Sequence, residues 1–328
     1  MIVEERSQIA EVRRATAALA ATLGFDEEER GRLAIAVTET ASNIVKHAGR
    51  GRMLARAIGA GNNTGVEIVA VDQGPGIDNV AAGMADGYST SGTPGNGLGS
   101  IARMTSNLEI YSQADKGTCV RFEVWPDGRA KPALALETGV VTIAKSGETE
   151  CGDTSAIAWH GARCNAMIAD GLGHGPLAAA ASQAAAAVLC ANPQYEAAQL
   201  IEAMHEALLS TRGGAVAVAT LDSDNPKLKY CGVGNISGVV QAEGKARHLV
   251  SHNGTVGHNA RRIQQFECEF PRDALLVMHS DGLATHWALD DYPGLAAKHP
   301  GVIAATLYRD HNRGRDDVSV LVVRNRAS

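Results

Sequence analysis

The chain is poor in aromatic residues: Phe, Trp and Tyr make up 4% of its 328 residues. Its interior must therefore be built from Ala, Val, Ile and Leu, within an apolar content of 45% that is ordinary for a folded protein. Positive charge is not in excess either. A formal net charge of −6 gives no electrostatic footprint for nucleic acid or an anionic membrane. Bound phosphate must then be met by a metal ion or by backbone amides. The six cysteines (Cys119, Cys151, Cys164, Cys190, Cys231 and Cys268) include no CxxC pair. That argues against a disulfide framework or a zinc site and for reduced cytoplasmic thiols. The most apolar long stretch, 177–190, is Ala-rich, too short to span a bilayer, and interrupted by Ser182 and Gln183. The N-terminal MIVEERSQIA is charged and has no apolar signal-peptide core. These absences predict a cytoplasmic protein with neither nucleic acid nor membrane as partner.

What is present divides the chain in two. Ile9, Val12, Thr16, Leu19 and Leu23 recur at helical spacing, and Asp26 with Glu29 forms a capping box for a second helix that stops near Gly49. Strand-like runs follow at 53–58 and 66–71, then a Gly/Ser/Thr-rich stretch over 77–100 that reads as a long mobile loop. A short helix at 101–105 and strands at 108–112 and 118–125 complete the first unit. The stretch PDGRAKPALALE has two prolines and little periodicity, so the predicted division is 1–126, a linker over 127–137, and 138–328. The second unit reads as strands at 140–144, 155–160, 166–169, 216–221, 228–232, 238–241, 263–270, 275–278 and 318–323, with helices at 177–191 and 194–209 after the third. That order argues an α+β protein with stacked sheets and helices outside. No internal repeat relates the halves.

In the first unit Glu39, Asn43 and His47 stand at i, i+4 and i+8, one drifting stripe of a regular helix. A carboxylate and an amide one turn apart can act together, the amide oxygen on Mg²⁺ and the carboxylate on a water or hydroxyl. The run VEIVAVDQGPGI then ends a strand in Asp72, placed to accept from an adenine amino group, with Gly74 and Gly76 allowing close backbone approach. Gly95, Gly97 and Gly99 lead into a helix whose amides suit a phosphate chain, and Lys116-Gly117-Thr118 follows.

This ordered set resembles the four nucleotide-binding boxes of the histidine-kinase-like, gyrase-like ATPase superfamily, and most closely the RsbT-like partner-switching serine kinases. The lid sequence DGYSTSGTPGNGLGSIARM is similar to that group. No phosphoacceptor-histidine helix precedes it, unlike a sensor histidine kinase. The resemblance implies a two-layer α/β sandwich (Bergerat-type) that binds ATP and Mg²⁺. It assigns Glu39 as base, Asn43 as Mg²⁺ ligand, Asp72, Gly74 and Gly76 to adenine, Gly95, Gly97 and Gly99 to the lid, and Thr118 to support of the adenine end. His47 receives no chemical role.

The second unit carries four isolated acidic signatures at strand ends or turns: Gly152-Asp153, Ala169-Asp170-Gly171, Ser280-Asp281-Gly282 and Arg315-Asp316-Asp317. Two terminate very apolar strands and one precedes another. In a layered sheet such ends can converge, and clustered carboxylates call for cations, with oxygen ligands pointing to Mg²⁺ or Mn²⁺. With the segment ADGLGHG and the turn GVGNISG, these motifs resemble metal-dependent PP2C-type phosphatases of the compact RsbX/SpoIIE-like kind. That resemblance implies an α/β/β/α sandwich with two Mn²⁺ or Mg²⁺ ions. Asp170 would bridge them, the Gly171 carbonyl and Asp153 would serve one ion, and Asp281 and Asp316 the other. Asp317 stands where many relatives have Asn and is not assigned as a ligand. No basic residue matches the phosphate-clamping arginine of eukaryotic members, so substrate phosphate would rest on metal. His174 stands near the metal motif, where a general-acid role and a helix-start position compete.

The combined expectation is a bifunctional switch enzyme. It would phosphorylate serine on an STAS-type antagonist or stressosome protein, in a sigma-factor-regulating pathway, and hydrolyse phosphoserine in the same circuit. In the alternative, the first unit only sequesters a partner in a nucleotide-dependent, anti-sigma-like way, and only the second unit catalyses.

Overall fold

The apolar spacing from Ile9 onward forms helix α1 (Arg6–Thr22), and the capping box forms the start of α2 (Glu27–Asn43) in the structure, a computed structural model that describes residues 1–60, 63–84, 97–127 and 135–326. The Asp26 carboxylate accepts the Glu29 N–H at 2.8 Å and the Glu29 carboxylate accepts the Asp26 N–H at 2.8 Å. Glu29 is buried, and its second oxygen accepts the Asp127 N–H at 2.7 Å, beside an Arg32–Asp127 ion pair at 2.9 Å. The chain that leaves the last strand of this unit is thereby tied to the first turn of α2.

The chain clusters into two compact units, Met1–Ala133 and Leu134–Ser328. In the first, strands β1 (Ile2–Val3), β2 (Gly51–Ala60), β3 (Asn63–Asp72), β4 (Ser106–Gln113) and β5 (Gly117–Val124) form an antiparallel sheet in the order β1-β2-β3-β5-β4. Alternation on β3 and β5 sends Val66, Ile68, Ala70, Val120, Phe122 and Val124 to a core shared with Val12, Leu33 and Val37. The alternate positions Glu67, Arg121 and Glu123 form a buried ionic row, with Arg121 bonded to both carboxylates. Helices on one face of one sheet make the two-layer α/β sandwich.

Two details differ from the sequence reading. The stretch read as one loop over 77–100 contains α3 (Val80–Met84) and the beginning of α4 (Gly97–Met104). Its glycines hid the helical start; residues 85–96 lie outside the described residues. Past Asn43, Ile44–Ala48 form a π-turn closed by the Gly49 N–H on the Ile44 carbonyl at 2.9 Å. Its wider turn takes exposed His47 off the stripe that a regular helix would continue from Glu39 and Asn43.

The second unit stacks two antiparallel five-stranded sheets. One has the order β13-β10-β9-β8-β7, from β7 (Asp153–His160), β8 (Arg163–Gly171), β9 (Gly214–Asp222), β10 (Asn225–Val233) and β13 (Phe266–Glu269). The other is β12-β11-β14-β15-β6, from β6 (Leu136–Ile143), β11 (Ser237–Ala242), β12 (Lys245–His248), β14 (Leu275–His279) and β15 (Val318–Asn325). Ala166, Ile168, Tyr230, Met278 and Leu321 are among the residues packed between them. Helices α5 (Pro176–Ala191) and α6 (Ala197–Ala207) cover the outer face of the first sheet through Leu189, Ile201 and Met204. A third helix, α7 (Pro300–His311), packs on β6 and β15 and completes the α/β/β/α layering.

Neither α7 nor β12 was anticipated. Residues Pro300–Arg309 are all buried, so α7 shows no polar face and no amphipathic period to read. β12 is the opposite case, an exposed edge strand, KARH, with no apolar side to alternate. The strand β6 also starts at Leu136, inside the stretch read as linker.

Glu29→Ala removes the acceptor of two backbone N–H groups and should lower the stability of the first unit by about 1–3 kcal/mol. Urea unfolding followed by circular dichroism checks this; an unchanged midpoint would show that the tie at Asp127 contributes nothing.

Candidate active sites

In the first unit the strand end at Asp72 meets the start of β5. One Asp72 carboxylate oxygen accepts the Gly74 N–H at 2.9 Å and the Thr118 N–H at 3.2 Å, which fixes the side chain at the sheet's end. Gly117, at φ +95°, leaves room for this: a Cβ there would lie 2.0 Å from the Asp72 carbonyl oxygen. The Thr118 hydroxyl lies 2.9 Å from that of Ser112, which accepts the Ile77 N–H at 2.8 Å and so ties down the loop after Gly76. Gly74 in turn sits against Ala48 of the π-turn. Asp72, Gly74, Gly76 and Thr118 are thus brought together. Glu39 and Asn43 occupy the last two turns of α2, both half-buried. Gly97 and Gly99 lie in the first turn of α4, while Gly95 is outside the described residues. Ser112 escaped the sequence reading because a lone serine on a strand carries no signal.

In the second unit Asp153 and Asp170 are cross-strand partners on β7 and β8, and Gly171 pairs with Gly214 of β9. The Gly171 N–H donates to the Gly152 carbonyl at 3.1 Å, and a Cβ on Gly171 would lie 2.1 Å from the Ala178 carbonyl oxygen, so α5 rests directly on this turn. Asp281 follows β14 and accepts from the Asn235 amide at 2.8 Å. Asp316 is exposed and accepts the Asp317 N–H at 3.0 Å.

Register and hydrogen bonds bring these carboxylates toward one end of the sheets: Asp153 faces Asp170, Ser280 beside Asp281 donates to Asp153, and Asp317 beside Asp316 accepts the Gly152 N–H. Burial, then the charges of Asp153, Asp281, Asp316 and Asp317, push the Asp170 carboxyl up to about 8. Burial pushes Asp153 up to about 7; a hydrogen bond from Ser280 opposes the rise, and Asp317 and Asp281 add to it. Asp281 is raised by burial and by Asp316.

Supporting residues hold the cluster. The fully buried Ser280 hydroxyl donates to Asp153 at 2.6 Å and accepts the Ser319 N–H at 2.9 Å. Asp317 is buried and accepts the N–H groups of Lys145 at 2.8 Å and Gly152 at 3.0 Å. Its carboxylate is thus engaged with backbone on both oxygens. Ser280 and Asn235 were not singled out as functional, although both stand inside motifs that were, HSDGL and GVGNISG. The His174 Nδ1 lies 2.6 Å from a Glu148 carboxylate oxygen, in an exposed ion pair beside the Gly171 turn.

Between the ordinary carboxylate value and about 8 the folded state holds more protons on Asp153 and Asp170 than the unfolded chain does. Stability of the metal-free protein should therefore fall as pH rises through this window. Denaturant midpoints in chelator should be lower at pH 8 than at pH 5, and the difference should shrink in Asp170→Asn. A difference that survives Asp170→Asn unchanged would contradict the role given to this cluster.

Comparison with known proteins matches residues 2–124 to the histidine kinase-like ATPase domain family and residues 160–326 to the stage II sporulation protein E (SpoIIE) family. Over 107 residues the chain is 36% identical to the serine/threonine-protein kinase RsbT of Bacillus subtilis (strain 168), covering 33% of this chain and 80% of RsbT. Over 149 residues it is 22% identical to the phosphoserine phosphatase RsbX of the same organism, covering 45% of this chain and 75% of RsbX. A solved structure from work on the bacterial stressosome aligns with TM-score 0.55 and 25% identity over 58% of this chain and 99% of its own. The PP2C phosphatase domain of Bacillus subtilis SpoIIE, solved with a fragment of its regulatory domain, shares the fold at TM-score 0.52 and 16% identity, covering 99% of each chain. Among the described residues no helix is long and apolar enough to cross a membrane.

Proposed function

We propose that this chain, which belongs to the SpoIIE family and carries an RsbT-like histidine-kinase-type ATPase domain ahead of its PP2C-type unit, hydrolyses phosphoserine on a protein partner and phosphorylates serine in the same circuit. The observation that carries the phosphatase reading is the convergence of Asp153, Asp170, Asp281 and Asp316 at one end of the stacked sheets. Every donor is a hard oxygen, and burial together with neighbouring carboxylates raises the pKa of the buried pair Asp153 and Asp170, so this donor set suits Mg²⁺ or Mn²⁺. Asp170 would lie between two ions, with Asp153 and the Gly171 carbonyl toward one and Asp281 and Asp316 toward the other. When bound, divalent ions would supply the activation of water that phosphoester hydrolysis needs. The chain's own contribution is orientation: Ser280 holds Asp153, Asn235 holds Asp281, and the Asp317 N–H holds Asp316.

In the first unit the geometry supports ATP. The Asp72 carboxylate is held by two amides at a glycine-lined strand end, where it can accept from an adenine amino group. Asn43 would take Mg²⁺ on the phosphates, and Glu39, one turn earlier, would take the proton of the attacking serine hydroxyl. Gly95, Gly97 and Gly99 would close over the phosphates, and Thr118 would support the adenine end. The partner expected from this reading is an STAS-type or stressosome protein.

Asp170→Asn should abolish p-nitrophenyl phosphate hydrolysis in Mn²⁺ while ATP binding persists, and Glu39→Ala should do the reverse for phosphoryl transfer. Asp72→Asn should weaken ATP binding by about ten- to a hundredfold by calorimetry. Full hydrolysis in Asp170→Asn would refute the metal assignment. Nucleotide-dependent capture of a partner with no transfer of label from ATP would make the first unit a binding module.

A further inference from the structure

Among the described residues of the second unit, the three most exposed large apolar side chains are Leu172 at 58%, Leu177 at 58% and Leu209 at 61%. All three belong to segments that meet at the Asp170–Gly171 turn. The Leu172 N–H donates to the Gly213 carbonyl at 2.9 Å, and Gly171 pairs with Gly214, so the loop after Asp170 runs beside the chain entering β9. Leu177 stands in the first turn of α5, the turn that rests on Gly171. Leu209 lies just past α6, in a turn that the Thr211 N–H closes on the Leu208 carbonyl at 2.9 Å. Solvent exposure of single leucines is ordinary; its concentration on segments flanking one candidate site is not.

The next residue along this rim is Arg212. One of its guanidinium nitrogens lies 3.2 Å from where a Cβ on Gly173 would be, in the loop that follows Asp170 and Gly171. It is exposed, and among the described residues it makes no hydrogen bond or ion pair. An arginine beside an acid-rich centre that pairs with none of its carboxylates keeps a full fork of donors for an incoming anion, and planar bidentate donation matches a phosphate. A phosphate dianion alone would gain nothing from neighbouring leucines. A phosphoserine with apolar neighbours in its chain would.

We propose that this rim is the docking surface for the phosphoserine segment of the protein substrate: Arg212 grips the phosphate, and Leu172, Leu177 and Leu209 cover apolar side chains flanking the phosphoserine. The inference rests on the phosphatase reading above and adds the chemistry of its substrate. It also supplies the basic partner for phosphate that no sequence motif disclosed.

The test uses the full chain with Mn²⁺, p-nitrophenyl phosphate, and two synthetic phosphoserine peptides, one with leucine on both sides of the phosphoserine and one with serine there. The wild type should favour the leucine peptide by about tenfold in kcat/KM. The double variant Leu177→Ser, Leu209→Ser should lose that preference, a ratio taken on one preparation and so insensitive to partial misfolding. Arg212→Ala should raise KM for both peptides by about tenfold with a smaller change in kcat, and Arg212→Lys should recover part of the loss. Equal use of the two peptides by a wild type that hydrolyses p-nitrophenyl phosphate would overturn the docking surface, as would an unchanged KM in Arg212→Ala. Failure of the wild type to hydrolyse p-nitrophenyl phosphate would overturn the phosphatase reading instead.

Discussion

The two carboxylate oxygens of Asp317 accept N–H groups from Lys145 and Gly152, its own N–H donates to Asp316, and a Cβ on Gly282 would lie 2.0 Å from its carbonyl oxygen. One buried residue thereby fastens the connection between β6 and β7 through its side chain, while its backbone packs against the turn after Asp281 and bonds Asp316. The carboxylates of the candidate metal site stand on these segments and on β8, and they repel one another. Only a backbone fixed by other means can hold them close, because their own interactions push them apart. Asp317 uses its charge to satisfy amides, leaving its neighbours to face cations.

The two candidate sites are built in different ways. The first presents glycines, amides and one oriented carboxylate at the end of a single sheet. The second gathers carboxylates at one end of two stacked sheets, on Asp153, Asp170 and Asp281.

Much of this was legible in the sequence. Asp26 and Glu29 announced α2 because a capping box is local, set by residues three apart. The strand ends at Asp72, Asp170 and Asp281 were visible because apolar runs stop there against an acidic residue and glycine. What escaped is tertiary in origin. The all-buried face of α7 erases its period, and the π-turn at Ile44–Ala48 follows from packing of Ala48 on Gly74 and has no composition of its own. Ser280 and Ser112 matter only through partners far away in sequence. The linker reading erred at its end because β6 borrows its first residues from a stretch whose prolines dominate its composition.

The tie from Glu29 to Asp127 turns about a hundred residues into a closed ring, entered at α2 and left after β5. A pull on the chain beyond Asp127 acts first on that buried carboxylate and on the Arg32 ion pair, not on the hydrogen bonds of β5. The load thus reaches the first turn of α2 before it reaches the inner strand β5, so the helix start and the strand end are mechanically coupled through one residue.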